Sequence, residues 1–112
     1  MEIVREQDQP YRGGTSGVKY LFRGPRLDWG VILFAPGEQM NRHYHNEVEE
    51  TFYFVEGKGG RFIVNDVEHP ITIGAAFRLE PGEIHGIVND TNAPLKAIFI
   101  KSAYLPKDKV DV

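Results

Sequence analysis

The chain has 112 residues and a formal net charge of −3, with 13 lysine and arginine side chains against 16 acidic ones, so we expect one soluble domain with no nucleic-acid partner. It contains no cysteine, which excludes disulfides, cysteine-ligated zinc and thiol catalysis. No apolar run approaches the roughly 18–20 residues of a membrane span, and the charged start of the chain is unlike a signal peptide. We therefore expect a cytoplasmic protein with no membrane partner.

The first 16 residues are polar and contain Pro10, Gly13 and Gly14, which indicates an N-terminal arm or a short edge strand. Short runs of β-branched and aromatic residues follow, separated by turn residues such as those at 36–37 and 81–82. The predicted strands are residues 18–22, 29–35, 51–55, 61–64, 71–73, 76–79, 84–88 and 95–101. Residues 17–105 are interpreted as one barrel domain, and residues 106–112 as a polar tail.

The spacing of the strand-like runs indicates the fold class. Runs recur roughly every 8–12 residues, which is typical of an antiparallel sandwich or barrel. No stretch of helical length has a period of 3.6 residues. The longest segment without glycine or proline, residues 38–56, contains five consecutive residues that favour strands, at 51–55. We predict an all-β protein of nine or ten short strands with little or no helix.

Two histidines, His43 and His45, are separated by one residue. Side chains two apart on a strand point to the same face, and two imidazoles inside a barrel are costly unless they are hydrogen-bonded or bound to a metal. Glu50 follows five residues after His45, which requires a turn between them. Because Glu50 then shares a face with Phe52 and Phe54, we expect its carboxylate to point inward.

A third histidine, His85, lies on a distant predicted strand, and Asn89 follows on the same face. Three imidazoles and one carboxylate that can converge suit Fe, Mn, Ni, Cu, Co or Zn better than Mg or Ca. A single histidine in a strand is more often a surface or hydrogen-bonded residue, which is our interpretation of His69. Asn89 is interpreted as a structural turn residue.

These residues resemble the two sequence motifs of the cupin superfamily. Residues 37–57 follow the pattern G-x5-H-x-H-x4-E-x6-G, which is similar to the first motif, and residues 74–89 follow G-x5-E-P-G-x2-H-x3-N, which is similar to the second. The chain departs from the family at Glu80, where the family has proline, and the proline is displaced by one residue to Pro81. No candidate ligand is affected by this departure.

The resemblance implies an antiparallel jelly-roll β-barrel that binds one divalent transition metal per chain. Fe or Mn is favoured, and Ni, Cu, Co or Zn would also suit the site. The residues that the resemblance assigns as metal ligands are His43, His45, Glu50 and His85. It also implies a homodimer and a small-molecule substrate or ligand.

Strand alternation predicts a mostly apolar pocket around this site. On the last predicted strand, either Ala97 and Phe99 or Ile98 and Ile100 face inward, and the pattern leaves this open. No cluster of basic side chains is expected on the inward faces, so a phosphorylated sugar is not favoured as a ligand. The basic side chains that we expect to point outward are Arg42, Arg61, Arg78 and Lys96.

Two classes of function fit these expectations. The first is a metalloenzyme acting on a small organic molecule, with dioxygenase-type oxygenation favoured and a lyase or isomerase reaction next. Glu50 is the candidate catalytic residue, either as a base or purely as a metal ligand, and the absence of a second inward histidine or carboxylate favours oxygen chemistry. The alternative is a non-catalytic barrel that binds or senses a small molecule or a metal, because one fold hosts both functions.

Overall fold

The structure, a computed structural model, describes residues 1–112 and consists almost entirely of strands. A 3-10 turn at Glu6–Asp8 is the only helical element, and no helix has the length and hydropathy needed to cross a membrane. The strands are β1 (Gly17–Arg23), β2 (Asp28–Phe34), β3 (Gln39–His45), β4 (Glu50–Glu56), β5 (Arg61–Val64), β6 (Val67–Pro70), β7 (Ala76–Leu79), β8 (His85–Val88), β9 (Leu95–Lys101) and β10 (Lys109–Asp111).

The ten strands form two five-stranded sheets. The first sheet has the order β1-β2-β9-β4-β7, and the second has the order β10-β3-β8-β5-β6. Every pair of neighbouring strands is antiparallel. Consecutive strands repeatedly change sheets, as in a jelly roll. The predicted all-β antiparallel jelly-roll barrel is therefore confirmed.

The hydrophobic core lies between the two sheets. Phe52 and Phe54 on β4 are 2% and 0% exposed, as their alternation with polar neighbours predicts. On β9, Ala97 and Phe99 are buried, whereas Ile100 is 41% exposed. The residues that face inward on this strand are therefore Ala97 and Phe99, which settles the alternative that the sequence left open.

One strand begins earlier than predicted. Residues 71–73 were expected to form a strand, but β6 is Val67–Pro70 and residues 71–73 lie outside the strands. The β5–β6 hairpin turns at Asn65 and Asp66, whose φ angles of 48° and 66° are those of a type I′ turn. Because β6 is an exposed edge strand, it tolerates polar side chains and Pro70. Ile71 is buried although it belongs to no strand.

The N-terminal arm is attached to the first sheet by two lysines. Lys96 Nζ donates hydrogen bonds to both carboxylate oxygens of Glu6, at 3.0 and 2.7 Å. Lys19 Nζ donates to the backbone oxygen of Glu6 at 3.0 Å and lies 4.0 Å from the centre of the Tyr11 ring. These contacts bring residues 6–12 against the barrel.

The C-terminal segment also differs from its description as a polar tail. Lys109–Asp111 form β10, which pairs with β3. Just before this strand, the Asp108 carboxylate accepts hydrogen bonds from the backbone nitrogens of Glu47, at 3.0 Å, and Val48, at 2.9 Å. The segment is polar because it is an edge strand whose attachment depends on backbone hydrogen bonds, which a side-chain pattern does not reveal.

Candidate metal centre

The barrel brings the four predicted residues together from three strands. His43 and His45 lie two apart on β3, and Glu50 is the first residue of β4, directly after the connecting turn. His85 is the first residue of β8, where it is the direct cross-strand partner of His43. Because directly opposed residues of an antiparallel pair share a face, all three imidazoles point into the barrel.

The four side chains form a compact, buried cluster. One donor atom from each of the four lies within 4.8 Å of the others, and none of the four residues is more than 4% exposed. Glu50 Oε1 lies 3.0 Å from His45 Nε2 and 3.4 Å from His85 Nε2. This spacing allows one ion to contact all four donors.

The backbone orients two of the imidazoles. His43 Nδ1 lies 3.0 Å from the carbonyl oxygen of Asn41, and His85 Nδ1 lies 2.9 Å from that of Glu83. A carbonyl oxygen only accepts, so each Nδ1 carries the proton and each Nε2 presents a lone pair to the cluster. A histidine that binds a metal through one ring nitrogen is commonly oriented by a hydrogen bond from its other ring nitrogen to a backbone carbonyl.

The environment of His85 Nε2 tests whether a metal fits. His85 Nε2 is the one fully buried side-chain nitrogen or oxygen atom without a hydrogen-bond partner. A neutral imidazole has a single N–H, which His85 uses at Nδ1, so its Nε2 lone pair faces the Glu50 carboxylate oxygen. Two acceptors in contact are unfavourable unless a cation lies between them. The cluster therefore fits a bound cation.

The charge states of the cluster are those that metal binding requires. Burial lowers the pKa of His43 to about 4, and the charge of Lys109 contributes to this shift. Burial alone would raise the pKa of Glu50, but the hydrogen bond with His45 and the charge of Lys101 outweigh it and lower the pKa to about 2. At neutral pH, His43 is neutral and Glu50 is ionised, and both forms can bind a metal without first releasing a proton.

A cavity of about 170 Å³ opens beside the cluster. His43, His45 and Glu50 form part of its wall, and Tyr20 and Met40 line it as well. Its remaining apolar lining consists of Val18, Ile32, Phe52 and Phe99. A cavity of roughly 150 Å³ with apolar walls holds a molecule the size of benzene, so this one has room for a small organic ligand next to the metal ligands.

The cavity also has basic lining residues, contrary to the sequence-based expectation. Arg12, Lys101 and Lys109 all contribute to its wall, and we call these three residues the basic rim. The prediction of no inward basic cluster was wrong because Arg12 belongs to the arm and Lys109 to the segment described as a tail. Lys101 lies on β9, whose inward face the sequence left undecided. Lys101 shares the face of Ala97 and Phe99, and alternation would have identified it only once that face was known to point inward.

The other histidine and the arginines that were expected outside the site are outside it. His69 is exposed on the edge strand β6 and is not part of the cluster. Arg42 pairs with Asp66, and Arg61 pairs with two acidic residues at the surface. Asn89 is fully buried and is structural: its side-chain nitrogen donates to the carbonyl oxygens of Phe34, Ala35 and Ala93 at 2.9–3.2 Å.

A two-sheet antiparallel jelly roll with three inward histidines and one inward carboxylate defines a class of barrel proteins with an internal His3Glu site. Residues 30–101 match the model of the cupin domain, and the chain therefore belongs to the cupin family. It is 31% identical over 81 residues to the tetracenomycin polyketide synthase protein TcmJ of Streptomyces glaucescens, covering 72% of this chain and 54% of that protein. The chain thus spans about half the length of this curated relative.

Solved structures share the fold. A protein with a double-stranded β-helix domain from Klebsiella pneumoniae subsp. pneumoniae superposes with a TM-score of 0.84 at 14% identity, covering 100% of this chain and 97% of that one. Salicylate 1,2-dioxygenase from Pseudaminobacter salicylatoxidans superposes with a TM-score of 0.65 at 26% identity, covering 70% of this chain and 22% of that one. The first likeness shows the fold alone, since its sequence identity is low.

Proposed function

We propose that this protein binds one divalent transition metal, Fe or Mn in preference to Ni, Cu, Co or Zn, and is a metalloenzyme that acts on a small organic substrate. The observation that carries the proposal is the buried His85 Nε2, which has no hydrogen-bond partner and lies 3.4 Å from Glu50 Oε1. Three imidazoles and one carboxylate are the donors that first-row transition metals prefer.

The residues of the chain have distinct roles in this proposal. His43, His45, His85 and Glu50 hold the metal, which when bound supplies Lewis-acid or redox chemistry to a substrate in the adjoining cavity. The apolar cavity wall positions the substrate and limits the access of water. The cavity contains no histidine or carboxylate apart from the cluster, and we favour oxygenation because it needs no further acid or base. A lyase or isomerase reaction would have to use Tyr20, Lys101 or Lys109, which also line the cavity.

Glu50 is the candidate catalytic residue, and we propose that it acts first as a ligand. One of its oxygens, Oε1, is hydrogen-bonded to His45 Nε2 at 3.0 Å, which fixes the carboxylate within the cluster. The likeness to a salicylate 1,2-dioxygenase, at 26% identity over 70% of this chain, also supports dioxygenase-type chemistry on a small organic molecule.

The first experiment is elemental analysis of untagged protein purified without a chelator and, in parallel, after reconstitution with Fe(II) or Mn(II). We expect about one metal ion per chain, loss of the metal in His45→Ala and His85→Ala, and retention in His69→Ala, which removes the exposed histidine. Circular dichroism would show that each variant is folded. No metal in the reconstituted wild-type protein would contradict the proposal.

A second experiment separates an enzyme from a binding barrel. Oxygen consumption by the metal-loaded protein would be measured with a panel of small aromatic and aliphatic compounds. Turnover that disappears in His85→Ala supports the enzyme. A compound that binds the loaded protein tightly without being converted, under air and under nitrogen, would instead assign the non-catalytic binding function.

A further inference from the structure

The basic rim is aligned with the metal ligands by strand pairing. Lys101 on β9 is the direct cross-strand partner of Glu50, and Lys109 on β10 is the direct partner of His45. Directly opposed residues share a face and have their Cβ atoms roughly 4.5–5.5 Å apart. Both lysines therefore project from the same face as the cluster, each beside one of its members.

Lys101 is held in place at the cavity wall. Its side chain is only 18% exposed, and its Nζ donates a hydrogen bond to the Tyr20 hydroxyl at 3.0 Å. The nearest carboxylate oxygen, from Asp28, is 4.0 Å away and belongs to a group that also accepts a hydrogen bond from Arg23 at 3.3 Å. A largely buried ammonium that shares its counter-ion can still pair with an anion.

Arg12 has no carboxylate partner. No acidic oxygen lies within 4.0 Å of its guanidinium among the ion pairs of the chain, and its nearest aromatic contact is the Tyr20 ring, whose centre is 5.8 Å away. The third member of the rim, Lys109, contacts Asp111 at 3.4 Å. The rim thus carries positive charge beyond what its acidic neighbours balance.

The positive charge reaches the cavity interior. The charge of Lys101 helps to lower the pKa of Glu50, and the charge of Lys109 helps to lower the pKa of His43. A bound divalent cation would add to this field, because the cluster supplies only one carboxylate to neutralise it. A neutral ligand gains little from such a field, whereas an anion is attracted to it and oriented by it.

We infer that the cavity takes a small organic acid in its ionised form, with the acid group paired to the basic rim and the carbon skeleton against the apolar wall. This inference rests on the proposed function, since it names the substrate class of the same cavity. Arg12 and Lys101 are assigned as the residues that select the anion. A carboxylate and a phosphate share the chemistry that such a rim recognises.

The test compares acids with their neutral analogues on Mn(II)-loaded protein. Benzoate and cyclohexanecarboxylate are titrated by calorimetry beside benzamide and cyclohexanecarboxamide, which have nearly the same shape without the charge. We expect the acids to bind at least about tenfold more tightly, as a charge-assisted hydrogen bond implies. Phenyl phosphate is titrated in a separate arm, and tighter binding than benzoate would identify the acid group as a phosphate.

Variants show whether the rim causes the selectivity. We expect Lys101→Gln to raise the Kd for benzoate roughly tenfold and the exposed Arg12→Gln to raise it about threefold, with the Kd for benzamide nearly unchanged. Lys58→Gln, which removes an exposed lysine that contacts Asn92 outside the cavity, makes the same change in net charge and is the matched control. Arg12→Gln keeps the test valid if Lys101→Gln does not fold.

The outcomes separate this inference from the proposed function. Metal content is measured on each sample. The inference is overturned if protein that holds its metal binds acids and amides equally, or if both rim variants bind benzoate as tightly as the wild-type protein. Neither result would contradict the metal site. If the protein holds no metal, the proposed function fails, and the same titrations still test the rim: a preference for acids that is lost in Arg12→Gln supports it.

Discussion

His43 on β3 and His85 on β8 make the same type of contact with the backbone, and they face each other across this pair of neighbouring strands. In each, Nδ1 lies within 3.0 Å of the carbonyl oxygen two residues earlier in the chain, and the two ring centres are 4.4 Å apart. The backbone of β3 and the turn before β8 therefore direct both Nε2 atoms toward Glu50. The barrel supports these ligands through main-chain groups, which no side-chain substitution removes.

This shared contact predicts an unusual tautomer. In metal-free protein at neutral pH, we expect His43 and His85 to carry their proton on Nδ1, because each Nδ1 faces a carbonyl acceptor. Long-range proton–nitrogen correlation spectra distinguish the two ring nitrogens directly. The exposed His69 provides the comparison within the same spectrum, and an Nε2-protonated form of His85 would contradict the argument for a lone pair aimed at Glu50.

Metal binding should stabilise the fold strongly. A ligand that binds only the native state at about 1,000 times its Kd adds about 4 kcal/mol to the free energy of unfolding, which for a domain of this size raises Tm by more than roughly 10 °C. Scanning calorimetry of chelator-treated protein with and without added Mn(II) measures the shift. The shift should vanish in His85→Ala and persist in His69→Ala, and a similar shift in both variants would place the stabilising metal elsewhere.

Asp108 should influence metal affinity although it is not a ligand. Its carboxylate accepts backbone hydrogen bonds from Glu47 and Val48, which lie in the turn between His45 and Glu50. Asp108→Asn keeps the volume but loses one acceptor oxygen, so the turn is held less firmly. We expect about tenfold weaker metal binding, the typical cost of a lost supporting contact, together with roughly 1–2 kcal/mol lower stability.

Competition with a chelator measures the metal affinity of the Asp108 variant. The matched control is Asp8→Asn, which neutralises an exposed carboxylate of the N-terminal arm. If Asp108→Asn lowers the free energy of unfolding but leaves the metal Kd unchanged, Asp108 stabilises the fold without positioning Glu50.

Much of the site followed from alternation along single strands. The inward faces were predicted correctly. On one strand the evidence was the spacing of His43 and His45, and on the next it was the alternation that puts Glu50 on the same face as Phe52 and Phe54. Alternation could not show which face of β9 points inward, because Ile98 and Ile100 are as apolar as the residues that do face inward. The exposed face of the first sheet keeps Ile100 at the surface, and this is a property of the assembled barrel.

The basic rim shows why the rest could not be predicted. Arg12, Lys101 and Lys109 come from the arm, the end of β9 and the last strand, and only the pairing of β10 with β3 and of β9 with β4 brings the two lysines beside the ligands. These pairings depend on backbone hydrogen bonds between segments that are far apart in sequence. The homodimer and the cytoplasmic location stay predictions, since nothing in a single chain tests them.

Asn89 provides the test of the fold itself, independent of any metal. Its side-chain nitrogen donates to the carbonyl oxygens of the last residue of β2, of the residue that follows it and of a residue in the loop before β9. Its side-chain oxygen accepts from Thr91 Oγ1 at 2.7 Å. Asn89→Ala leaves these buried groups without partners, so we expect the free energy of unfolding to fall by roughly 3 kcal/mol. Urea denaturation measures the change, and Asn92→Ala, at an exposed position in the same loop, should change it by less than about 0.5 kcal/mol. Equal effects of the two substitutions would mean that the loop, rather than the buried amide, determines stability at this end of the barrel.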